Sequence, residues 1–292
     1  MSIKKEVRVD NYQDAIKYSN QNIDIISIGS ECCFYKIPTM KQLLSLFVNT
    51  DKEIKLVLPF ISQQHLQSTL DLIHEIIHCK LSIIIVVNDY GILNYIMKQQ
   101  TSYIKLHIGR FLDWSYDLIP WNSNILRDET KANKEYLTSS VFIHKKKLEF
   151  LKESNVVAVE LNMLKDMEHI IKKFLEYNIS VFIHYKYNVV AYSRACPNKR
   201  LYENSICNIN CGEYNKLKFR KKWMPKKEFN SSVSAYKDDQ KVSKLFSVLY
   251  VKNNMVLKEK PMEIADYIHL NVEGIILDEY IKEIDDFLEV SE

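Results

Sequence analysis

Six cysteines punctuate the 292-residue chain: Cys32, Cys33, Cys79, Cys196, Cys207 and Cys211. Cys196, Cys207 and Cys211 fall within sixteen residues, at steps of eleven and four. Thiolates are soft, strongly donating ligands. Gathering several in a segment without helical or strand periodicity suits a metal centre, because the backbone must wrap around it. With a fourth thiolate such a group suits either zinc or an iron–sulfur cluster. Structural zinc sites commonly pair their cysteines as Cys-x-x-Cys, and no such pair occurs here. The three-residue gap between Cys207 and Cys211, with other ligands far off in sequence, fits a larger cluster better. Zinc and simple buried or reactive thiols stay open on spacing alone. The Cys-x-x-x-Cys-x-x-Cys triplet of radical-SAM chemistry is absent. Cys32 and Cys33 are neighbours, so in an extended segment they point to opposite sides and at most one is a ligand. Cys79 ends an amphipathic stretch and reads as a packed thiol.

Other residues with chemical potential sit at the ends of apolar runs. Asn88 and Asp89 follow one such run; they are candidates for touching a substrate, or for a turn and cap on a helix starting near Tyr90. Arg110 offers a planar fork for an anion or an ion pair. Glu160 lies inside an apolar run, where a carboxylate must find a cation or a hydrogen bond, and Arg110 is the natural partner to test. His184 ends a further run as a rim or core histidine. His74 and His78 are four apart, on what reads as a solvated helix face. Lys216–Lys227, KLKFRKKWMPKK, holds seven basic residues with Phe219 and Trp223 between them. That segment is either a solvated loop or a clamp for RNA, with charge on phosphates and rings on bases.

The elements that must position these groups alternate. Strands are expected at Ile23–Ile28, Ile54–Pro59, Leu81–Val87, Tyr103–Ile108, Val156–Leu161, Ser180–His184 and Val189–Tyr192, with Leu245–Val251 and Gly274–Leu277 near the end. Helices are expected at Gln63–His78, Leu93–Gln100, Lys134–Leu137, Lys145–Glu153 and Lys165–Tyr177, with a closing helix at Asp278–Val290. Near-continuous apolar strands alternating with amphipathic helices indicate an α/β fold with a parallel sheet, either a barrel or a doubly wound sheet, read here as a TIM-barrel-like (β/α) barrel. The whole chain, 1–292, is read as one barrel-like domain with an irregular, basic, cysteine-bearing excursion near 196–239. In such a barrel Cys33 and Cys196 both follow strands and would emerge at the same C-terminal rim, where sites are built.

Composition narrows the functional classes. The chain is 47% hydrophobic with a net charge of +3, enough for a substantial core and too near balance to specify a partner. Five glycines are few, and neither the dinucleotide-binding nor the Walker phosphate loop occurs. The His-Glu-x-x-His helix of metalloproteases is also absent. No early apolar leader and no run of ~20 apolar residues is present, so a cytoplasmic protein without membrane insertion is expected.

Several phrases together resemble the collagenase-like peptidase family, in its UbiU/UbiV branch and nearest to UbiV. These are DIISIGSECC (Asp24–Cys33), IIIVVNDYGIL (Ile83–Leu93), HIGRFLDW (His107–Trp114), VVAVELN (Val156–Asn162), and AYSRAC with CNINC (Ala191–Cys196, Cys207–Cys211). The resemblance runs in order over roughly residues 20 to 280, and the cysteine segment is its specific part. It implies a barrel-like fold and a 4Fe–4S cluster held by Cys33, Cys196, Cys207 and Cys211, with Cys33 selected over Cys32. It also implies a role in oxygen-independent hydroxylation, in biosynthesis or on RNA bases, with a related subunit as heterodimer partner. Arg110, Glu160, His184, Asn88 and Asp89 would shape the pocket for a small-molecule substrate. The chain departs from the family pattern at Ser180 and Tyr185, in the short gap from Cys196 to Cys207, and in DWSYDLIPW after Arg110, which leaves the substrate open. The alternatives are a peptidase, as the family's name implies, and a zinc- or cluster-stapled binding subunit without catalysis.

Overall fold

The computed structural model describes residues 3–119, 122–193, 196, 215–216, 249–260 and 262–278. The first strand, β1 (Lys4–Val9), is followed by α1 (Tyr12–Tyr18), β2 (Ile25–Gly29), α2 (Met40–Asn49), β3 (Glu53–Leu58) and α3 (Leu66–His78). Next come β4 (Ile83–Val87), α4 (Tyr90–Lys98) and β5 (Ile104–Ile108). A longer connection carries α5 (Asn122–Ile125), α6 (Lys131–Thr138) and α7 (Lys145–Glu153) before β6 (Val156–Leu161), α8 (Met167–Leu175) and β7 (Ser180–His184). Four strands then form a separate sheet: β8 (Tyr187–Tyr192), β9 (Asn215–Lys216), β10 (Leu249–Lys252) and β11 (Met255–Glu259). A short helix, α9 (Ile264–Ile268), leads to β12 (Gly274–Asp278).

Strands β1 to β7 and β12 close a parallel eight-stranded barrel, with β12 between β7 and β1. The TIM-barrel-like α/β architecture expected from the strand–helix alternation is therefore the fold. Alternate strand residues face outward and meet the helices. Val7, Ile26, Ile28, Leu56, Ile85 and Val87 share one buried cluster with Leu43 and Leu46 of α2, Ile73 and Ile76 of α3, and Ile170 and Phe174 of α8. That seam accounts for the apolar helix stripes.

Four sequence assignments are corrected. The polar beginning hides a barrel strand, because β1 buries Glu6 and Arg8 inside the barrel as well as Val7 and Val9 outside it. Val189–Tyr192 is part of β8, which pairs antiparallel with β11 and not with the barrel. Within the expected strand Leu245–Val251, residues 249–251 belong to β10 of the same small sheet. Asp278 ends β12 rather than opening a helix. Short β-branched runs look alike whichever sheet they join, so periodicity could not separate them. The remainder of the closing helix, and most of the 196–239 excursion, lie outside the described residues.

The small sheet covers the C-terminal mouth of the barrel. Val189, Met255 and Leu257 pack with Phe111, which follows β5, and with Cys32, which follows β2. Side-chain amides fasten the cover. Asn188 accepts from Met163 N at 2.9 Å and donates to Met163 O at 2.7 Å, while Asn162 Oδ1 accepts from Val189 N at 2.8 Å.

Candidate functional site

The barrel interior is charged. Glu6 and Arg8 from β1, Lys55 from β3, Glu160 from β6 and His184 from β7 are all buried, and the contacts of Arg8 with Glu160 and of Lys55 with Glu6 and Glu160 join strands that are not neighbours. Those contacts must therefore cross the lumen. Arg8 Nη2 donates to both Glu160 oxygens, at 2.8 and 2.7 Å, and to Glu6 Oε1 at 2.9 Å. Lys55 Nζ binds Glu6 Oε2, lies 3.4 Å from Glu160 Oε1, and rests 3.6 Å from the centre of the Phe182 ring. Ser27 also donates to Glu6. Below this layer Ile25, Ala158, Phe182 and Ile276 form a small apolar plug. Burial alone would raise the Glu160 carboxyl, but Arg8 and Lys55 beside it hold it well below the usual carboxylate range. His107 and His184 are also shifted downward, which for an imidazole favours the neutral form. Burial and Lys55 keep His107 neutral, and burial with the Arg110 charge lowers His184 to about 4.

Above the lumen, the loops at the strand ends continue the network. Glu31, two residues past β2, is held by Arg110 through Nε at 3.0 and 3.1 Å and Nη2 at 2.7 Å. Arg110 Nη1 donates to Tyr187 O at 3.0 Å, so one side chain joins the β2 corner, the β5 end and the covering sheet. His184 Nε2 faces Arg8 at 3.5 Å, Glu31 at 3.6 Å and Glu160 at 3.7 Å. Glu31, Glu160 and His184 form a donor set of a metal-binding kind. The Arg8 guanidinium already takes the same oxygens, at 3.4 Å to Glu31 Oε1 and 2.7 Å to Glu160 Oε2, and supplies the positive charge there.

Two glycines make the rim possible. Gly29 adopts φ 121°, and a Cβ there would lie 2.4 Å from Val57 O. Only glycine takes this backbone without strain. At Gly109 a Cβ would fall 2.1 Å from Asn88 Oδ1. The missing side chain lets the Asn88 amide donate to Leu58 O at 3.0 Å and accept from Phe111 N at 3.3 Å, tying three strand ends together. Asp89 caps α4, its Oδ1 accepting from Gly91 N at 2.7 Å and Ile92 N at 3.1 Å. Further along the same rim Asp113 accepts from Ser140 Oγ and Val141 N, and burial pushes its carboxyl up to about 7.

The cysteine corner lies where the cover meets β2. Asn254 Nδ2 donates to Cys32 O at 2.7 Å and to Ser193 O at 2.9 Å, while Ser193 N donates to Asn254 O at 2.9 Å. One residue thus bridges the carbonyl preceding Cys33 and a backbone position three residues before Cys196. Packing around the Cys32 sulfur drives its thiol well above the ordinary range, opposed by Ser30 and the Asn254 N–H. Cys33 takes an extended backbone, φ −131° and ψ 113°, and is half-buried, as is Cys196. Nearby, Lys36 and Lys252 approach Asp10 at 3.9 and 3.6 Å.

Of the residues singled out from sequence, Glu160 and His184 meet in the lumen and Arg110 sits directly above them. The expected Arg110–Glu160 pair is corrected: Arg110 binds Glu31, and Glu160 binds Arg8 and Lys55. Asn88 and Asp89 lie at the rim with their side chains engaged by backbone. Cys207, Cys211 and all of Lys216–Lys227 except residue 216 lie outside the described residues. Glu6, Arg8, Glu31, Lys55 and Asn254 were not anticipated. Lys55 carried a readable signal, a charge inside the apolar run EIKLVL. No model of a protein family matches the chain, and no curated protein matches it either. Among the described residues no helix is long and apolar enough to cross a membrane.

Proposed function

We propose that the chain carries a 4Fe–4S cluster on Cys33, Cys196, Cys207 and Cys211 and takes part in an oxygen-independent hydroxylation together with a related subunit. The observation that supports this reading is the Asn254 bridge, which brings the Cys33 corner and the stretch leading to Cys196 to one edge of the barrel mouth. Two ligand-bearing segments 163 positions apart need such a tie before they can share a metal. A bound cluster would supply electron transfer to the hydroxylation, its potential set by thiolate ligation and burial. The protein's own residues then act as a frame. Arg110 holds Glu31, two residues before Cys33, and thereby fixes the corner that presents the thiolate. Glu160 and His184 keep the floor beneath it charged and closed. The substrate is a small molecule, with RNA the alternative through Lys216–Lys227.

Anaerobic purification with iron, sulfide and zinc quantitation tests this. We expect iron and sulfide near four per chain, as a 4Fe–4S cluster requires, together with a broad absorbance near ~400 nm. Alanine at any of the four cysteines abolishes the signal, whereas Cys79→Ser retains it. A colourless protein with stoichiometric zinc would replace the reading with a zinc-stapled binding subunit. Cleavage of gelatin by metal-free protein would favour the peptidase.

A further inference from the structure

Five acidic side chains are buried among the described residues. Glu6, Glu31, Glu160 and Asp278 each lie within ion-pair distance of an arginine or lysine. Asp113, 4% exposed, has no such partner among the described residues. Its Oδ1 accepts from neutral donors, Ser140 Oγ at 2.8 Å and Val141 N at 3.0 Å. A carboxylate buried against neutral donors is costly to ionise, and burial accordingly lifts Asp113 from the ordinary 3.8 to about 7. Around it, Lys147 on α7 favours ionisation, and the Tyr90 hydroxyl on α4 feels its charge. The other charged and titratable groups nearby are turned elsewhere. Arg110 holds Glu31, Asp89 faces the amides of Gly91, Ile92 and Ile61, and His144 packs its ring on Tyr136, centres 4.6 Å apart.

Both donors to Asp113 belong to a strap made of α6 and the turn that follows it, residues 131–141. Ser115 Oγ adds a bond to Thr138 O at 2.7 Å, so the turn after β5 clasps the end of the strap from two side chains. The helix itself is loosely held, for it buries none of its side chains, and Tyr136 is 62% exposed. Phe142, directly after the strap, is buried in the main core and fixes that end as a pivot. An element with so little buried apolar surface opens at low free energy, and its hydrogen-bonded clasp then governs how often it does. The clasp stands beside the barrel mouth, since Asp113 N donates to Arg110 O at 3.3 Å.

We propose that Asp113 is a pH-dependent latch on the barrel rim: protonated, it clasps the strap at Ser140 and Val141, and ionised, it releases α6 and opens the rim beside Arg110. With the strap open the carboxyl meets water and titrates near its ordinary 3.8; with the strap closed it titrates near 7. The closed state therefore binds more protons between those values. Closure is fully favoured below about 3.8 and is lost as pH rises through about 7. The latch does not depend on the cluster reading.

Hydrogen exchange of the full chain, read by mass spectrometry and corrected for the intrinsic pH dependence of amide exchange, tests the latch. Between about pH 5 and about pH 8.5, protection of the α6 and Val141 amides is expected to fall on the order of tenfold or more, while β2 to β6 keep theirs. Asp113→Asn retains the side-chain shape and an accepting oxygen without the titration, so α6 should stay protected at both pH values. If that variant does not fold, Lys147→Gln decides the matter: it removes an exposed cation that favours ionisation, and should move the step to higher pH. His144→Gln should leave the step in place. Protection of α6 that ignores pH in the wild type would overturn the latch. So would a step that survives Asp113→Asn, one unmoved by Lys147→Gln, or one abolished by His144→Gln.

Discussion

Glu160 has two cations within 3.4 Å and no exposure to water, so its charge is worth keeping only while Arg8 and Lys55 remain. Removing one member of a buried ion network strands its partners, which typically costs about 3–5 kcal/mol. Glu160→Ala should therefore destabilise the barrel by an amount of that order in urea denaturation. Arg110→Lys should disturb the Cys33 corner, because an ammonium cannot reproduce the forked contact to Glu31. His184 adds a pH dependence. Its folded value of about 4 lies below the ordinary 6.5, so between those values the unfolded chain binds more protons than the folded one. Stability must then fall as pH drops from about 6.5 towards 4. His184→Gln should flatten that slope, as measured by denaturation midpoints across the window.

At the scale of elements, strand ends are joined by side chains that replace backbone ladders. Asn88 fits only because Gly109 leaves room for it. Gly109→Ala would push the amide aside and break its bonds to Leu58 O and Phe111 N, for an expected loss of ~2–4 kcal/mol. Adding Asn88→Ala should cost less in the Gly109→Ala background than in the wild type, since the bonds are already gone. A double-mutant cycle in chemical denaturation reads that coupling directly. Additive effects would show that the two residues act separately. The dipeptide Asn88-Asp89 thus divides its labour, with Asn88 locking β3, β4 and β5 and Asp89 starting α4.

For the whole molecule, the decisive arrangement is a barrel with a charged lumen sealed by a second sheet. The seal depends on few apolar contacts, centred on Phe111, Val189, Met255 and Leu257. Phe111→Ala should remove about 3–5 kcal/mol from it. Hydrogen exchange is expected to show β8, β10 and β11 losing protection while β2 to β6 keep theirs. Uniform loss across both sheets would mean that cover and barrel unfold as one unit. If the cover opens first, Arg110 and Glu31 gain water before the lumen does, because they form its upper layer.

The alternation of β-branched runs with amphipathic helices determined an α/β fold on a parallel sheet, a barrel or a doubly wound one, since each strand needs an apolar outer face and each helix an apolar stripe to meet it; closure into the barrel is seen in the strand order. It also marked Glu160 and Arg110 as charges that must find partners, and it set Cys196, Cys207 and Cys211 in one irregular stretch. What the sequence did not determine was who meets whom. The partners of Glu160 come from β1 and β3, more than a hundred positions away, and inward-facing Glu6 and Arg8 are indistinguishable in sequence from surface charges on a polar leader. Strands β8, β10 and β11 carry the composition of barrel strands, yet tertiary packing assigns them to a lid. Local pattern records which face of an element is apolar. Only closure of the barrel chooses which charges share its interior, and only the docking of the Asn253–Asn254 turn brings Cys32 and Ser193 to a common side chain.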